Sequence, residues 1–222
     1  MKIIARIHND FDSKFGIPRQ SNVVQELKGR IVFEPEYRNE AALRGIEGFD
    51  YLWLIWQFSQ AVRDKWSPTV RPPILGGNTR VGVFATRSPF RPNAIGLSSV
   101  KLEKVELHTP EGPVLHISGA DLMNGTPILD IKPYLAYVDS HPEAAQGFRG
   151  QGWKRKLQVN FPSELLAKIP LEKQAGLLGV LENDPRPTYQ EDAQRIYGMS
   201  FGGQEIKFQV SEGTLQVIAI EG

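Results

Sequence analysis

The most informative absences in this 222-residue chain are those of cysteine and of long apolar segments. Because there is no cysteine, disulfides, zinc–thiolate sites, iron–sulfur clusters and cysteine nucleophiles are excluded. The longest apolar-rich segment, Tyr51 to Phe58, is far too short to span a bilayer. The first residues hold no sustained apolar stretch before the first acids, so we expect no signal peptide, no membrane partner and a cytoplasmic location.

Common catalytic signatures are also missing. There is no G-x-G-x-x-G after a strand and no P-loop, which removes the main signs of Rossmann and P-loop nucleotide binding. The four histidines, His8, His108, His116 and His141, lack the spacing of a local metal site, so we expect no metal. Gly198–Gly202 matches the G-x-S-x-G nucleophile elbow, but a strand-like segment follows it and no histidine comes later, which argues against that function.

The chain has little net charge, but its charged residues are unevenly distributed. The net charge is +1, yet residues 1–100 hold 14 Lys and Arg against 9 Asp and Glu, and the remainder hold 12 against 16. The segment Lys65 to Leu102 contains six cations and no acid. Such a segment indicates either a local anionic partner or a solvated loop balanced by distant acids, and composition alone does not choose between them.

The periodicity predicts a mainly β fold, with a small antiparallel β-barrel domain followed by a small α+β domain. No long amphipathic helix interrupts the first run of short strands. Asn39 to Arg44 is expected to form a helical turn. The expected strands are Lys2–His8, Arg30–Phe33, Tyr51–Phe58 (buried), Arg80–Ala85, Gly96–Leu107, Val114–Gly119 and Pro127–Ile131.

The strand Gly96 to Leu107 carries the most information about closure of the sheet. Its apolar residues alternate up to Glu103 and then shift by one position. A shift of one residue is what a β-bulge produces, and bulges bend strands so that a barrel can close.

Glycine-rich residues within His141 to Gly152 predict a linker, which divides the chain into a barrel domain, 1–145, and a C-terminal domain, 153–222. In the second domain Ser163 is expected to cap a helix, and helical spacing continues to Leu181 with a break near Pro170. The strands expected there are Ile196–Met199, Ile206–Val210 and Leu215–Ile220.

Two segments hold the candidate site. In Gly82 to Leu97, Pro89 and Pro92 stiffen a loop that carries two arginines, an arrangement suited to binding a carboxylate or phosphate. In Asp121 to Tyr134, an Asn-Gly turn leads into an apolar strand with Asp130, whose carboxylate needs a partner such as Lys132 or a loop arginine. A structural turn and a structural ion pair remain the alternatives.

These residues carry a resemblance to a known family. The stretches VRPPILGGNTRVGVFATRSPFRPNAIGLS, DLMNGTPILDIKPY and NDPRPTY resemble the TrmO, or TsaA-like, family of tRNA N6-threonylcarbamoyladenosine methyltransferases, although Val70 replaces a family proline. Milder similarity runs from Phe15–Gln20 through Gly48–Trp53, so the resemblance covers nearly the whole chain.

The resemblance implies a homodimer that binds S-adenosylmethionine on a small β-barrel and methylates N6 of threonylcarbamoyladenosine beside the anticodon of tRNA. It assigns catalytic roles to Asp130, Tyr134 and Arg91. It also implies that the cofactor site comprises Arg87, Arg91, Pro92, Asn93, Ile95, Gly96, Leu97, Asp121, Leu122, Gly125, Thr126, Asp130 and the stretch Lys132–Tyr134.

Several roles stay open at this point. Asp130 is placed to bind ribose hydroxyls or a main-chain amine, or to accept the departing proton. Two other classes of protein also fit the chain: a non-catalytic S-adenosylmethionine-binding sensor, and an RNA-binding β-barrel module with basic loops.

Overall fold

The computed structural model of the chain describes residues 1–62, 65–148, 156–187 and 192–222. Its N-terminal part is built almost entirely from short strands, as the sequence predicts. They are β1 (Ala5–His8), β2 (Lys28–Phe33), β3 (Tyr51–Gln57), β4 (Thr69–Val70), β5 (Val81–Gly82), β6 (Ile95–Glu106), β7 (Val114–Ser118) and β8 (Pro127–Pro133). A short helix, α1 (Ala136–Asp139), follows β8.

Six of these strands form a closed barrel in the order β1–β2–β7–β6–β3–β8, with every pair antiparallel. The longest strand, β6, makes the closure possible because it pairs with β3 through its first half and with β7 through its second half. The register with β7 shifts between Leu102 and Lys104, which confirms the predicted bulge. The predicted fold class is therefore confirmed.

Strand β3 differs from the prediction in its burial. Leu52, Leu54 and Trp56 point into the core and are at most 7% exposed, whereas Tyr51 and the other odd-numbered residues lie on the outer surface of the barrel. The run of aromatic and β-branched residues hides this alternation, because large apolar side chains occupy both faces.

The predicted strand Arg80–Ala85 is wrong beyond Gly82. After the two-residue β5, residues Val83–Ala85 form a 3-10 turn. The Val83 amide donates to the Pro68 carbonyl, and the Val83 side chain is buried, 1% exposed. The Thr86 hydroxyl and amide both donate to the Val83 carbonyl, so local hydrogen bonds replace a strand ladder.

The C-terminal part is a small α+β unit, as predicted. Its sheet has the order β10–β11–β12–β9, in which only the β12–β9 pair is parallel. Its elements are β9 (Gln158–Asn160), α2 (Ser163–Leu166), α3 (Leu171–Glu182), β10 (Tyr197–Phe201), β11 (Gln204–Ser211) and β12 (Thr214–Glu221).

Details of this unit match the sequence with two exceptions, of which the first is strand β9, which the sequence did not predict. Helix α3 begins directly after Pro170, which confirms the predicted break. The expectation that Ser163 caps α2 is wrong, because Pro162 occupies the capping position and no side chain caps the helix. Gly198–Gly202 lies in β10 and its hairpin turn to β11, so it is no strand-to-helix elbow.

Each unit has its own hydrophobic core, but the N-terminal segment contributes to the second. Phe11, Val24 and Leu27, which precede β2, pack with the buried residues of α3 and the C-terminal sheet. Lys173 on α3 pairs with Asp10 at 2.6 Å. Residues 9–27 thus tie the barrel to the C-terminal unit, while the predicted division at 145 and 153 stays a prediction, since residues 149–155 lie outside the described part.

None of the helices in the described ranges has the length and apolar character needed to cross a membrane.

Candidate functional site

The loop between β5 and β6, residues 86–94 and here named the arginine loop, is held by hydrogen bonds within itself. Nη1 of Arg91 donates to the carbonyl of Thr86 at 3.0 Å and to that of Ser88 at 3.4 Å. The Arg91 amide donates to the Pro89 carbonyl at 2.9 Å. Arg91 therefore shapes the loop in addition to offering a charge, which the sequence did not indicate.

A cavity of 920 Å³, here named the barrel cavity, lies next to this loop. Its other walls are residues of β3, the first residues of β6, and Pro18–Ser21 of the N-terminal segment that precedes β2. Among its lining residues are eight that the sequence analysis singled out: Arg87, Arg91, Pro92, Asn93, Ile95, Gly96, Leu97 and Asp121. The rest of the lining comprises Pro18, Arg19, Gln20, Ser21, Trp53, Trp56, Phe58, Phe84, Thr86 and Ser99.

The floor of the barrel cavity is formed by two aromatic side chains, Trp56 and Phe58, beside the start of β6. Gly96 lies directly against the Trp56 indole, so that a Cβ added at Gly96 would stand 2.2 Å from Trp56 Cε2. The Phe58 ring packs beside Trp56 with centroids 4.2 Å apart. Nε1 of Trp56 donates to Oγ of Ser98 at 3.0 Å, which fixes the indole orientation. Only glycine at position 96 permits this close packing of strand and indole.

Asp121 is the one carboxylate among the described residues lining this cavity. Oγ of Ser98 donates to its Oδ1 at 2.6 Å, which links the carboxylate to Trp56. Burial raises the pKa of Asp121 above its ordinary value, against the opposing effects of the Ser98 hydrogen bond and the Arg87 charge. A carboxylate held in this way is poised to bind a cationic or hydroxyl-bearing ligand.

A second cavity of 560 Å³, here named the inter-unit cavity, lies between the arginine loop and the C-terminal unit. Its wall from the C-terminal unit consists of Val180, near the end of α3, and Asn183–Pro185. Six residues line both cavities: Pro18, Arg19, Gln20, Phe84, Thr86 and Arg87. Arg87 also contacts the Gln20 side chain, so the two chambers share a polar wall that joins the loop to the N-terminal segment.

The wall from the C-terminal unit is braced by an ion pair inside the NDPRPTY motif. Asp184, with a positive φ of 51°, binds Arg186 through two hydrogen bonds of 2.8 and 2.9 Å. Both side chains are at most 10% exposed. Arg19 donates to the Arg186 carbonyl at 3.1 Å, which ties this wall to the N-terminal segment. Thr188 and Tyr189 of the motif lie outside the described residues.

The rest of the Asp121–Tyr134 segment does not reach either cavity. Leu122 is in the barrel core, 1% exposed, and Gly125 takes a positive φ of 76° in the turn before β8. The Thr126 hydroxyl donates to the Met123 carbonyl at 2.7 Å and is buried. These three residues therefore support the turn rather than line a cavity.

Asp130 and Lys132 lie on the outer surface of β8. Their side chains pair at 3.0 Å with exposures of 47% and 62%, so Lys132 supplies the partner that the sequence required. Lys132 stands opposite Trp53 in the sheet, and the Tyr134 ring lies 5.3 Å from that of Trp53. Since Trp53 lines the barrel cavity, this patch adjoins the cavity without belonging to it.

The residues that sequence reasoning missed are mostly aromatic or N-terminal. Trp53, Trp56 and Phe58 belong to a predicted strand and Pro18–Gln20 to a stretch of milder resemblance, but neither pattern assigns these residues to the cofactor site. The Pro-Arg-Gln sequence resembled the family there, but no local pattern places residues so early in the chain beside the arginine loop.

Within the described part, no group of three or more His, Asp or Glu side chains is arranged to hold a metal ion.

Comparison with known proteins agrees with the geometry. Residues 6–140 match the family model described as tRNA-methyltransferase O N-terminal domain, and residues 154–222 match the TrmO C-terminal domain. The chain belongs to the TrmO family. The two family segments correspond to the barrel and to the C-terminal unit that walls the inter-unit cavity.

Individual members of the TrmO family resemble the chain over nearly its full length. The tRNA (adenine(37)-N6)-methyltransferase of Escherichia coli K12 is 37% identical, covering 98% of this chain and 96% of the relative. The enzyme of the same name from Eikenella corrodens is 43% identical, covering 78% of this chain and 99% of its own. A crystal structure of TrmO superposes with a TM-score of 0.80 at 30% identity, covering 99% of this chain and 97% of the other.

Proposed function

We propose that the chain transfers a methyl group from S-adenosylmethionine to N6 of threonylcarbamoyladenosine at position 37 of tRNA, beside the anticodon, in the cytoplasm. The observation that carries the proposal is the barrel cavity, which gathers the arginine loop, an aromatic floor and Asp121 at one place. The names of the TrmO relatives from Escherichia coli and Eikenella corrodens support adenine N6 as the acceptor.

The lining of the barrel cavity fits the proposed cofactor. An adenine ring packs favourably against aromatic side chains, and the lining supplies two, Trp56 and Phe58, whose planes are inclined by 59°. A methionine carboxylate requires a cation, for which Arg87 is exposed and has no ion pair within the described residues. The cofactor's hydroxyls and ammonium require an acceptor, and Asp121 is the available carboxylate.

When bound, S-adenosylmethionine supplies a methyl group on a sulfonium, and the reaction is an in-line displacement. The chain's contribution is alignment and exclusion of water, because the positive charge disperses as the reaction proceeds. The arginine loop, cross-linked by Arg91, loses little entropy when a ligand binds. The proton on N6 leaves as the new C–N bond forms, and the carbamoyl group makes that nitrogen acidic enough for a weak base.

The acceptor nucleoside occupies the inter-unit cavity. Its threonyl carboxylate pairs with Arg19, which lines the wall shared by the two cavities. The methyl group then crosses near Gln20 and Thr86, at the same wall. An unmodified adenosine would leave a cation without its partner, so the site discriminates against it.

A homodimer explains the patch that adjoins the cavity. Leu97, on β6, is 55% exposed, Trp53 lies on the outer surface of the neighbouring strand β3, and the Tyr134 ring packs against that of Trp53. We place a second copy of the chain against this surface, so that Asp130 and Tyr134 of one protomer face the barrel cavity of the other. In this arrangement the two residues act catalytically although they lie outside the cavity of their own chain.

The test uses radiolabelled cofactor with tRNA from cells that do or do not add the threonylcarbamoyl group. We expect transfer only to the modified tRNA, detected as the methylated nucleoside by mass analysis. Equal transfer to both would indicate an ordinary adenosine N6-methyltransferase. Cofactor binding with no transfer to either would indicate a sensor, and RNA binding without cofactor would indicate an RNA-binding module.

A further inference from the structure

Two exposed aromatic side chains stack on each other at the edge of both cavities. The rings of Trp66 and Phe84 have centroids 6.1 Å apart and planes inclined by 29°. Trp66 is 52% exposed and Phe84 is 71% exposed. Phe84 lines both cavities, whereas Trp66 lines neither. Large rings exposed in this manner are unfavourable in water unless a partner covers them.

The backbone presents this pair in a fixed position. Burial of Val83 and its bond to Pro68 anchor the 3-10 turn, so the next side chain, Phe84, points outward. The β4–β5 ladder joins Thr69 and Val70 to the start of the same turn, which brings Trp66 across from Phe84. The ring pair is therefore built into the fold of the loop.

The charged residues of the segment from Lys65 to Leu102, which carries both rings, are all positive. Lys65, Arg71 and Arg80 are exposed, and none of them forms an ion pair within the residues that the structure describes. The segment Lys65–Leu102 contains no acid. Exposed rings combined with unneutralised cations are the two elements by which proteins bind single-stranded nucleic acid.

We propose that Trp66 and Phe84 form a stacking platform for a base next to the methylated adenosine in the anticodon loop. This inference rests on the proposed function, because it places the target nucleotide in the inter-unit cavity that Phe84 borders. Stacking the neighbouring base outside the cavity holds the loop splayed, so that the target adenosine enters alone. The surrounding cations pair with the phosphates on either side.

The decisive test is a double-mutant cycle between protein and RNA. An anticodon stem–loop with threonylcarbamoyladenosine is compared with versions that lack the base on the 5′ or the 3′ side of it. Against intact RNA, Trp66→Leu should weaken binding roughly five- to a hundredfold, the range that stacking on one ring supplies. Against the version that lacks the stacked base, Trp66→Leu should have little further effect.

Three further variants sharpen the result. Trp66→Phe should restore most of the binding, and Phe84→Leu should lower it in the same non-additive way. Leu171→Ala is the matched control, because it removes an apolar side chain that is 81% exposed but does not line a cavity. Leu171 is the first residue of α3, and it is the other end of that helix that walls the inter-unit cavity. Cofactor affinity of Trp66→Leu should equal that of the unaltered chain.

Equal weakening of all RNAs by Trp66→Leu, or no weakening at all, would overturn the platform. If Trp66→Leu changed the mass measured by light scattering but left RNA binding unchanged, the platform would also be overturned. The Trp66–Phe84 pair would then be a contact between copies of the chain. If the unaltered chain methylates modified tRNA while the cycle shows no coupling, only the platform fails. If the unaltered chain methylates no tRNA, the proposed function fails, and the binding cycle still decides the platform.

Discussion

The two segments that the sequence marked as functional behave differently in the fold. Residues 87–97 remain together, and all seven of the predicted site residues in them line the barrel cavity. Residues 121–134 separate into three places: Asp121 in the cavity, Leu122–Thr126 in a structural turn, and Asp130–Tyr134 on the outer surface. The first segment lies in the arginine loop, which Arg91 closes with hydrogen bonds, and in the first residues of β6, whereas the second runs through a turn and along β8, whose residues do not line the cavity. Membership of one motif is therefore no evidence of one site.

The largest expected effect concerns the loop. Arg87→Ala removes an exposed cation that lines both cavities. The resulting fall in kcat/KM should correspond to a rise of about 2–5 kcal/mol in activation free energy, the usual loss when a desolvated charge-assisted contact is removed. Thermal unfolding should be nearly unchanged, because the contact of Arg87 with Gln20 is exposed. Arg44→Ala, an exposed arginine outside both cavities, is the control. Full activity of Arg87→Ala would show that the loop cations serve only the fold.

A substitution at the cavity floor should affect stability and function together. Gly96→Ala forces a Cβ into the Trp56 indole and should cost about 1–3 kcal/mol of unfolding free energy, as overpacking does. Cofactor affinity should fall as well, because the indole must move. Denaturant unfolding and equilibrium cofactor binding measure the two effects. Gly82→Ala is the control, since a Cβ there meets nothing within 4 Å.

A smaller effect is expected for Asp121→Asn, which should raise stability slightly and lower activity. Burial raises the pKa of Asp121 in the folded chain, so ionisation opposes folding, and this opposition is absent below the ordinary pKa that the carboxyl has in the unfolded chain. It develops as the pH rises through that value and is complete above the raised folded pKa. Asp121→Asn should therefore be slightly more stable than the unaltered chain at neutral pH, and the difference should vanish in acid.

The activity of Asp121→Asn should nevertheless fall, since the amide bears no charge for a ligand. Chemical denaturation at several pH values, beside cofactor titration, tests both statements. A stability difference that persists unchanged in acid would mean that packing, not ionisation, causes it.

The smallest stability effect is expected at the outer surface. Asp130→Ala breaks an exposed ion pair with Lys132 and should change the unfolding free energy by less than about 1 kcal/mol. If a second copy covers this surface, activity should fall by a much larger factor than stability does. Sedimentation or light scattering, together with methyl-transfer assays, checks this. Unchanged activity would mean that Asp130 is not part of the site. Of residues 121–134, only Asp121 would then share the site with residues 87–97.

Local sequence patterns were sufficient for most of the elements and for predicting the arginine loop as a stiff, cation-bearing segment. The bulge in β6 was visible as a shift in alternation after Glu103, because each residue of a strand faces opposite to the next. The prolines of the arginine loop and the break before α3 were equally visible, since proline restricts its own backbone. Errors arose where a side chain competed with the backbone, as the Thr86 hydroxyl does at the carbonyl of Val83.

Only the tertiary structure decided which residues meet. Pro18–Gln20 join the arginine loop across more than sixty positions of sequence, and Asn183–Pro185 close the inter-unit cavity from the other unit. Asp121 rather than Asp130 faces the cavity because β8 turns Asp130 outward. By itself the sequence determined the elements, the chemical character of the loop and the family. Distant segments meet because the barrel closes and because residues 9–27 pack against the C-terminal unit. Both events are driven by the burial of apolar side chains summed over two cores, so no single stretch of sequence indicates them.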